Sequence, residues 1–385
     1  MRVFIYTLGF NSVSGGGSHN VLHLFVRALC HGGHTPILTT FFSDTNAYTE
    51  KPCEMREERF EGGFIALQRH CASQMRADEK NADIFLIYGS SLMWGGGMYA
   101  SEGGKVPVVA SIYNYTTGMG LHRAPPEIGG TLSRFLASIR HAVHRAKWYA
   151  WEKTIGIGYV AAIDKVFFDS PVVLEQYRKF GYRFREAIII PAPVEKSEVS
   201  SNFPSPYPTD PEVFDVLFAG RLIADKGPDL LVKAASQLPN AIHIHLIGSG
   251  NEEANLKKII RDNGLEKRVH LHGWKTREEL PAFYQFADLF VHPVRWPEPF
   301  GLTAMMALGF GLPVITMEGV DAAGDAGVTF KKDDVADLAK CILFFFNNPE
   351  ERAAYAKRAL VRAKLFDTDI VSRQFVTNLE SISAK

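Results

Sequence analysis

Arg221 and Lys226 stand five residues apart between Gly220 and Gly227, directly after an apolar run. A guanidinium makes forked hydrogen bonds to phosphate oxygens and an ammonium adds a compact charge beside them, so this spacing suits a diphosphate. A second segment runs His292-Pro293-Val294-Arg295-Trp296-Pro297-Glu298-Pro299-Phe300-Gly301-Leu302-Thr303. It places a carboxylate immediately before a helix predicted to open with Pro299. The amides of Phe300, Gly301 and Leu302 would point at an anion, aided by the helix dipole. Gly301 lets a ligand approach the backbone, and Glu298 is the acceptor that sugar hydroxyls need. The plainer readings are a solvated turn for the cations and a capping carboxylate worth about 0.3–1 kcal/mol for Glu298. Cations, free amides and a carboxylate within one stretch of chain point to a sugar diphosphate.

Positioning these groups requires strands that end beneath them. In the first half, strands are predicted at Val3–Leu8, Thr35–Thr39, Ile84–Tyr88, Val106–Ile112 and Val166–Asp169. Helices are predicted at Asn20–His31 and Leu132–Trp151, with Ser170-Pro171 as a cap and first helical residue. In the second half, strands are predicted at Val213–Ala219, Ile242–Ile247, Val269–Leu271, Leu289–His292 and Val314–Thr316. Helices at Pro228–Gln237, Glu252–Asn263, Arg277–Phe286, Phe300–Phe310, Val335–Asn347 and Pro349–Lys364 separate or follow them. Apolar runs alternating with helices give α/β domains with parallel sheets covered on both faces. Residues 1–194 and 213–365 are the expected domains, joined by a Ser/Pro-rich linker at 195–212. A C-terminal helix at about 366–385 is expected to pack back on the first domain.

The 385 residues exceed what one core usually supports, which fits two domains. Apolar content of 46% with 22% charged residues is that of an ordinary soluble protein, and zero net charge argues against nucleic acid as partner. Cys30, Cys53, Cys71 and Cys341 are scattered, with no CxxC pair and no histidine at metal-ligand spacing, so reduced thiols and no metal centre are expected. Neither a signal peptide nor an apolar span of membrane length is evident, which makes a cytoplasmic protein the expectation. Residues 132–153 alternate Arg134, Arg140, Arg145, Lys147 and Lys153 with apolar positions such as Phe135, Ile139, Trp148 and Trp151. That pattern suits either a helix resting on the inner face of an anionic membrane or a core helix with a solvated face.

The GRxxxxKG turn, the Glu298–Leu302 run continuing to Pro313-Val314-Ile315, and Ile190-Pro191-Ala192-Pro193-Val194 together resemble the retaining glycosyltransferases of family 4. The resemblance is specific over roughly residues 213–330 and topological before about 166. It implies the GT-B fold, with two doubly wound Rossmann-like domains facing across a cleft. It also implies a nucleotide-diphosphate sugar as donor, retention of anomeric configuration, and no cofactor or metal. The acceptor would be a glycan, a lipid-linked molecule or a small molecule. Arg221 and Lys226 match the family's diphosphate pair, and Glu298 matches the first carboxylate of its paired-glutamate motif. Donor contacts would extend to Gly220, Gly248, Pro299, Phe300, Gly301, Leu302 and Thr303.

The loop Gly15-Gly16-Gly17 is not spaced as a dinucleotide fingerprint. By resemblance, Gly16 and Gly17 would line the cleft. Trp274, in His272-Gly273-Trp274-Lys275, would lie beside the base, although it suits a core position equally well. Two features depart from the family. Met306 occupies the position of the second glutamate, and a thioether is a poor acceptor for ribose hydroxyls. Tyr113 and Asn114 stand where a cleft histidine is usual, with His122 nearby as a substitute on the acceptor side. These departures keep open a silent sugar-nucleotide binder and a nucleotide-sugar epimerase.

Overall fold

The computed structural model describes residues 1–10, 17–42, 51–113, 143, 146–194, 203–207, 210, 212–276, 278–296, 298, 301–320 and 323–383. The chain divides into two compact units, one of Met1–Ala192 with Val371–Lys385 and the other of Pro193–Ile370. Among the described residues, no helix is long and apolar enough to cross a membrane. All four cysteines carry free thiols.

The first unit is built on a parallel seven-stranded sheet. Its strands are β1 (Arg2–Thr7), β2 (Thr35–Thr40), β3 (Glu54–Glu57), β4 (Ile84–Tyr88), β5 (Val108–Ile112), β6 (Lys165–Phe168) and β7 (Ala187–Ile189), in the order β3-β2-β1-β4-β5-β6-β7. The inner strands are apolar at nearly every position because helices cover both faces of a parallel sheet. Edge strand β3 reads Glu-Met-Arg-Glu and carries no such run, so nothing in its pattern announces it. Helices Phe64–Asp78 and Met93–Ser101 were likewise not expected. The latter contains Gly95-Gly96-Gly97, each glycine costing about 1 kcal/mol of helix propensity relative to alanine. These glycines persist because a Cβ would lie 2.8 Å from the Gln68 carbonyl, 2.7 Å from Ile87 or 2.3 Å from the Tyr159 carbonyl.

Helix Pro171–Phe180 starts as expected, with the Ser170 hydroxyl accepting the Val173 amide at 3.3 Å. The predicted helix Leu132–Trp151 lies largely outside the described residues. Its described end runs past Trp151 through a wide turn, Glu152–Gly156, into Ile157–Val160. Glu152 is buried there and accepts the Tyr182 hydroxyl at 2.6 Å, so a charged residue does not end the helix. The C-terminal helix Thr368–Ser383 docks on this same unit. Phe375 stacks on Phe25 with ring centres 4.0 Å apart, and Lys165 bonds to Ser381 at 3.1 Å.

The second unit holds β8 (Phe214–Ala219), β9 (Ile242–Ile247), β10 (Val269–Leu271), β11 (Leu289–His292), β12 (Val314–Met317) and β13 (Gly327–Phe330), in the order β10-β9-β8-β11-β12-β13. The chain runs outward from β8 to β10 and then returns to place β11 on the other side of β8. The sheet therefore reverses between β8 and β11, where an open parallel sheet leaves a crevice at its carboxyl edge. Both chemistry-bearing segments leave the sheet there. The stretch expected to be only a linker contributes to this core: Tyr207 is buried and donates its hydroxyl to the Phe283 carbonyl at 2.8 Å.

Candidate diphosphate site

Beyond β8 the chain makes a tight turn. Its ladder continues through the Gly220 amide to Ile247 (3.0 Å) and the Leu222 amide to Ser249 (2.9 Å). A single helical turn, Ala224–Lys226, then leads to Gly227, whose φ of +64° suits glycine. A Cβ on Gly227 would lie 2.0 Å from the Pro293 carbonyl. The glycine therefore brings the two separated segments into backbone contact. Next to it, the Arg295 amide donates to the Asp225 carbonyl at 2.8 Å.

Lys226 and Glu298 meet across this junction. The Lys226 ammonium donates to both oxygens of Glu298, at 2.5 and 2.6 Å, and His292 Nε2 lies 3.0 Å from Glu298 Oε2. All three side chains are largely buried. Burial by itself pushes the Glu298 carboxyl upward, but the hydrogen bond and charge of His292, with those of Lys226, outweigh it and hold the group at about 2. Glu298 is thus a fixed anion at neutral pH. The stability it contributes is present above the ordinary carboxylate range and is lost as pH falls toward 2.

The predicted start of the following helix is corrected. Gly301, at φ +52°, caps a helix that begins at Leu302 and ends at Gly309, so Glu298 lies four residues ahead of it and does not cap it. A left-handed residue cannot continue a right-handed helix, which sets the start. Glycine is needed for a second reason: a Cβ there would sit 2.7 Å from His292 Nε2, the atom that reaches Glu298. The Ala304 and Met305 amides both return to the Gly301 carbonyl. Leu302 and Thr303 carry the first-turn amides that an α-helix leaves without an intrahelical acceptor. Pro299 and Phe300 lie outside the described residues. Leu302, Thr303 and Met306 are half-buried while Ala304, Met305, Ala307 and Leu308 are buried, so the first three share the outer face.

Of the three cations here, each has a different setting. Arg221 is exposed and makes no ion pair among the described residues. Lys226 is held by Glu298. Arg295, to which the sequence assigned no role, grips Asp229 with both terminal nitrogens (2.6 and 2.8 Å), Asp333 with Nε (2.7 Å) and the Ala224 carbonyl (2.7 Å). Four of its five N–H donors are occupied, so it braces the turn, whereas Arg221 makes no such pair among the described residues. Trp296, also unassigned from sequence, is partly exposed, with its ring centre 5.8 Å from the Lys226 ammonium. Gly248 packs on the same turn, where a Cβ would lie 1.9 Å from the Gly220 carbonyl. Trp274 is 63% exposed, which removes the core alternative.

In the first unit, Gly17 opens helix Gly17–His31, and the half-buried Tyr113 follows β5 with its ring 5.0 Å from that of Tyr88. Gly16, Asn114 and His122 lie outside the described residues. Asp169, at the end of β6, carried no sequence signal. It is 7% exposed, its Oδ1 has no hydrogen-bond partner among the described residues, and burial pushes it up to about 7 against the hydrogen bonds from Ser170. Between the ordinary carboxylate range and about 7, the folded chain holds a proton that the unfolded chain gives up. Folding therefore weakens as pH rises through that window. Asp169→Asn should raise the melting temperature at pH 8 by about 3 °C or more, with the gap closing by pH 5. Equal gaps at both pH values would contradict this assignment.

Residues 201–362 match the family described as Glycosyl transferases group 1. A D-inositol 3-phosphate glycosyltransferase of Pseudarthrobacter chlorophenolicus is 34% identical over 167 residues, 40% of this chain and 40% of that one. A mannosylfructose-phosphate synthase of Agrobacterium fabrum is 40% identical over 116 residues, 27% of this chain and 25% of that one. The matches thus span well under half of these relatives. Two solved structures align over nearly both whole chains. The Anabaena protein HepE in complex with UDP has a TM-score of 0.72 at 17% identity, covering 99% of this chain and 100% of that one. Sucrose-phosphate synthase from Thermosynechococcus elongatus has a TM-score of 0.74 at 18% identity, covering 100% and 99%. With two doubly wound parallel-sheet units, these likenesses establish the GT-B fold.

Proposed function

We propose, from a C-terminal unit that belongs to the glycosyl transferases group 1, that this chain moves a sugar from a nucleotide-diphosphate donor to an acceptor hydroxyl with retention of configuration. The observation that carries this reading is the convergence of Arg221, Lys226, Glu298 and the first-turn amides of Leu302 and Thr303 at the β8/β11 reversal. Breaking the glycosidic bond moves negative charge onto the departing diphosphate. The ammonium and the free guanidinium stabilise that charge where it develops. Glu298, held ionised, accepts hydroxyls of the donor sugar. Its carboxylate is engaged by Lys226 and His292, which favours this role over that of a covalent nucleophile. Retention then follows from same-face attack, with a donor phosphate oxygen taking the acceptor proton. Cations of the chain itself meet the leaving group, so the reading includes no metal and no cofactor. Acceptor recognition is assigned to the N-terminal unit, with Tyr113 among its residues. The HepE protein has also been solved with UDP-glucose, which recommends that compound as the first probe.

The test is a panel of nucleotide sugars screened by thermal shift, followed by mass spectrometry of donor with and without candidate acceptors. Transfer to an acceptor, with the anomeric configuration read by NMR, is the expected result. Saturable binding with neither transfer nor hydrolysis would instead identify a silent binder, the reading that Met306 in place of a carboxylate favours. Isomerised donor in the absence of acceptor would identify an epimerase.

A further inference from the structure

His243 and His245 lie on β9, with His270 on β10 and His272 just after it. In the parallel register Asp215 pairs with His243, and His270 pairs with His245, which puts Asp215 and the four imidazoles on one face of the sheet. The His245 side chain is 1% exposed. Its Nε2 lies 2.8 Å from Asp215 Oδ1 and its Nδ1 lies 3.0 Å from His272 Nε2. Tyr207 covers the ring at 4.0 Å between centres, and His270 stacks beside it at 5.0 Å.

Asp215 anchors one end of this chain. A carboxylate only accepts, so His245 donates through Nε2, and its Nδ1 shares a hydrogen bond with His272 Nε2. Burial pushes His272 down to about 4, with His245, His270 and Lys275 adding to the effect, so its ring is neutral at physiological pH. Two hydrogen-bonded rings thereby tie together β8, β9 and the end of β10. Asp215 is held in turn by Asp288, whose carboxylate accepts the Asp215 amide at 2.9 Å and which lies 3.8 Å from Arg352.

From His272 a short backbone path leads to the diphosphate turn. The Gly273 carbonyl accepts the Gly248 amide at 2.9 Å, and Gly248 presses on the Gly220 carbonyl so closely that no side chain would fit. Gly220 is the residue before Arg221. We infer that the Asp215–His245–His272 chain is a positioning device for the Arg221–Gly227 turn, fixing through Gly273, Gly248 and Gly220 the direction in which Arg221 leaves β8. This deepens the donor-binding reading and rests on it.

Calorimetry on the full chain at pH 7.5, with UDP-glucose, ADP-glucose and GDP-mannose as probes, tests the inference. His272→Gln, at a half-buried position, should weaken binding about fivefold or more, yet less than about twofold once Arg221→Gln is already present, because coupled residues are not additive. Asp215→Asn, which removes the carboxylate that holds His245 from the far end, should show the same dependence on Arg221 and serves if His272→Gln does not fold. Losses that are equal with and without Arg221, or a His272→Gln protein that binds like wild type, would overturn the positioning role alone. A wild-type protein that binds none of the three probes would remove the donor reading and this inference together.

Discussion

Lys226→Ala is expected to lower sugar transfer about a hundredfold, and Arg221→Ala at least about tenfold, both with the fold retained; the basis is that a hydrogen bond to a charged group is worth about 1.5–3 kcal/mol. Lys226 is the costlier loss because it serves two partners. On the function proposed above it meets the departing diphosphate, and in the structure it neutralises Glu298 through contacts of 2.5 and 2.6 Å. Without it the largely buried carboxylate keeps only His292, so its proton affinity climbs toward the ordinary range and its hold on the sugar weakens. Lys226→Ala should accordingly lower the melting temperature as well. Arg221 is exposed and unpaired among the described residues, so its removal should leave the melting temperature unchanged. That contrast separates loss of a ligand from loss of a brace. If either variant loses less than about tenfold, or about 1.4 kcal/mol, the assignment of that cation to the leaving group is wrong.

Met306→Glu should tighten nucleotide-sugar binding about tenfold in calorimetry, since a carboxylate accepting ribose hydroxyls gains about 1.5–3 kcal/mol less the cost of ordering it. Met306 shares the half-buried face of helix Leu302–Gly309 with Leu302 and Thr303, so a glutamate there projects from the same face. The flexible, unbranched methionine already occupies similar volume, which limits strain in the variant. No change in affinity would show that the ribose lies elsewhere.

Much of the fold was legible because apolar runs mark buried parallel strands. Ile84–Tyr88, Ile242–Ile247, Val269–Leu271 and Leu289–His292 occupy the residues their patterns predicted, as does helix Val335–Asn347. Where packing overrides local preference, the pattern is silent. The hydrophilic edge strand Glu54–Glu57 and the glycine-rich helix Met93–Ser101 are examples. Arg221, Lys226 and Glu298 were legible from residue type and spacing within short segments. His292, Arg295, Asp229 and Trp296 were not, because their roles arise from contacts between segments far apart in sequence. Arg295 reaches Asp229 over 66 residues, and no local period encodes that. The one available hint was Asp229 itself, a carboxylate on the apolar first turn of helix Pro228–Ala235, which needs a cationic partner once buried.

The mutual satisfaction of Lys226 and Glu298 also bears on competition among anions. An orthophosphate ion arriving alone must draw the ammonium away and leave the buried carboxylate with His292 as its one remaining partner among the described residues. A sugar diphosphate offers oxygens to one partner and hydroxyls to the other, so the exchange leaves neither bare. On the donor reading proposed above, the pair would therefore disfavour small anions relative to a sugar diphosphate.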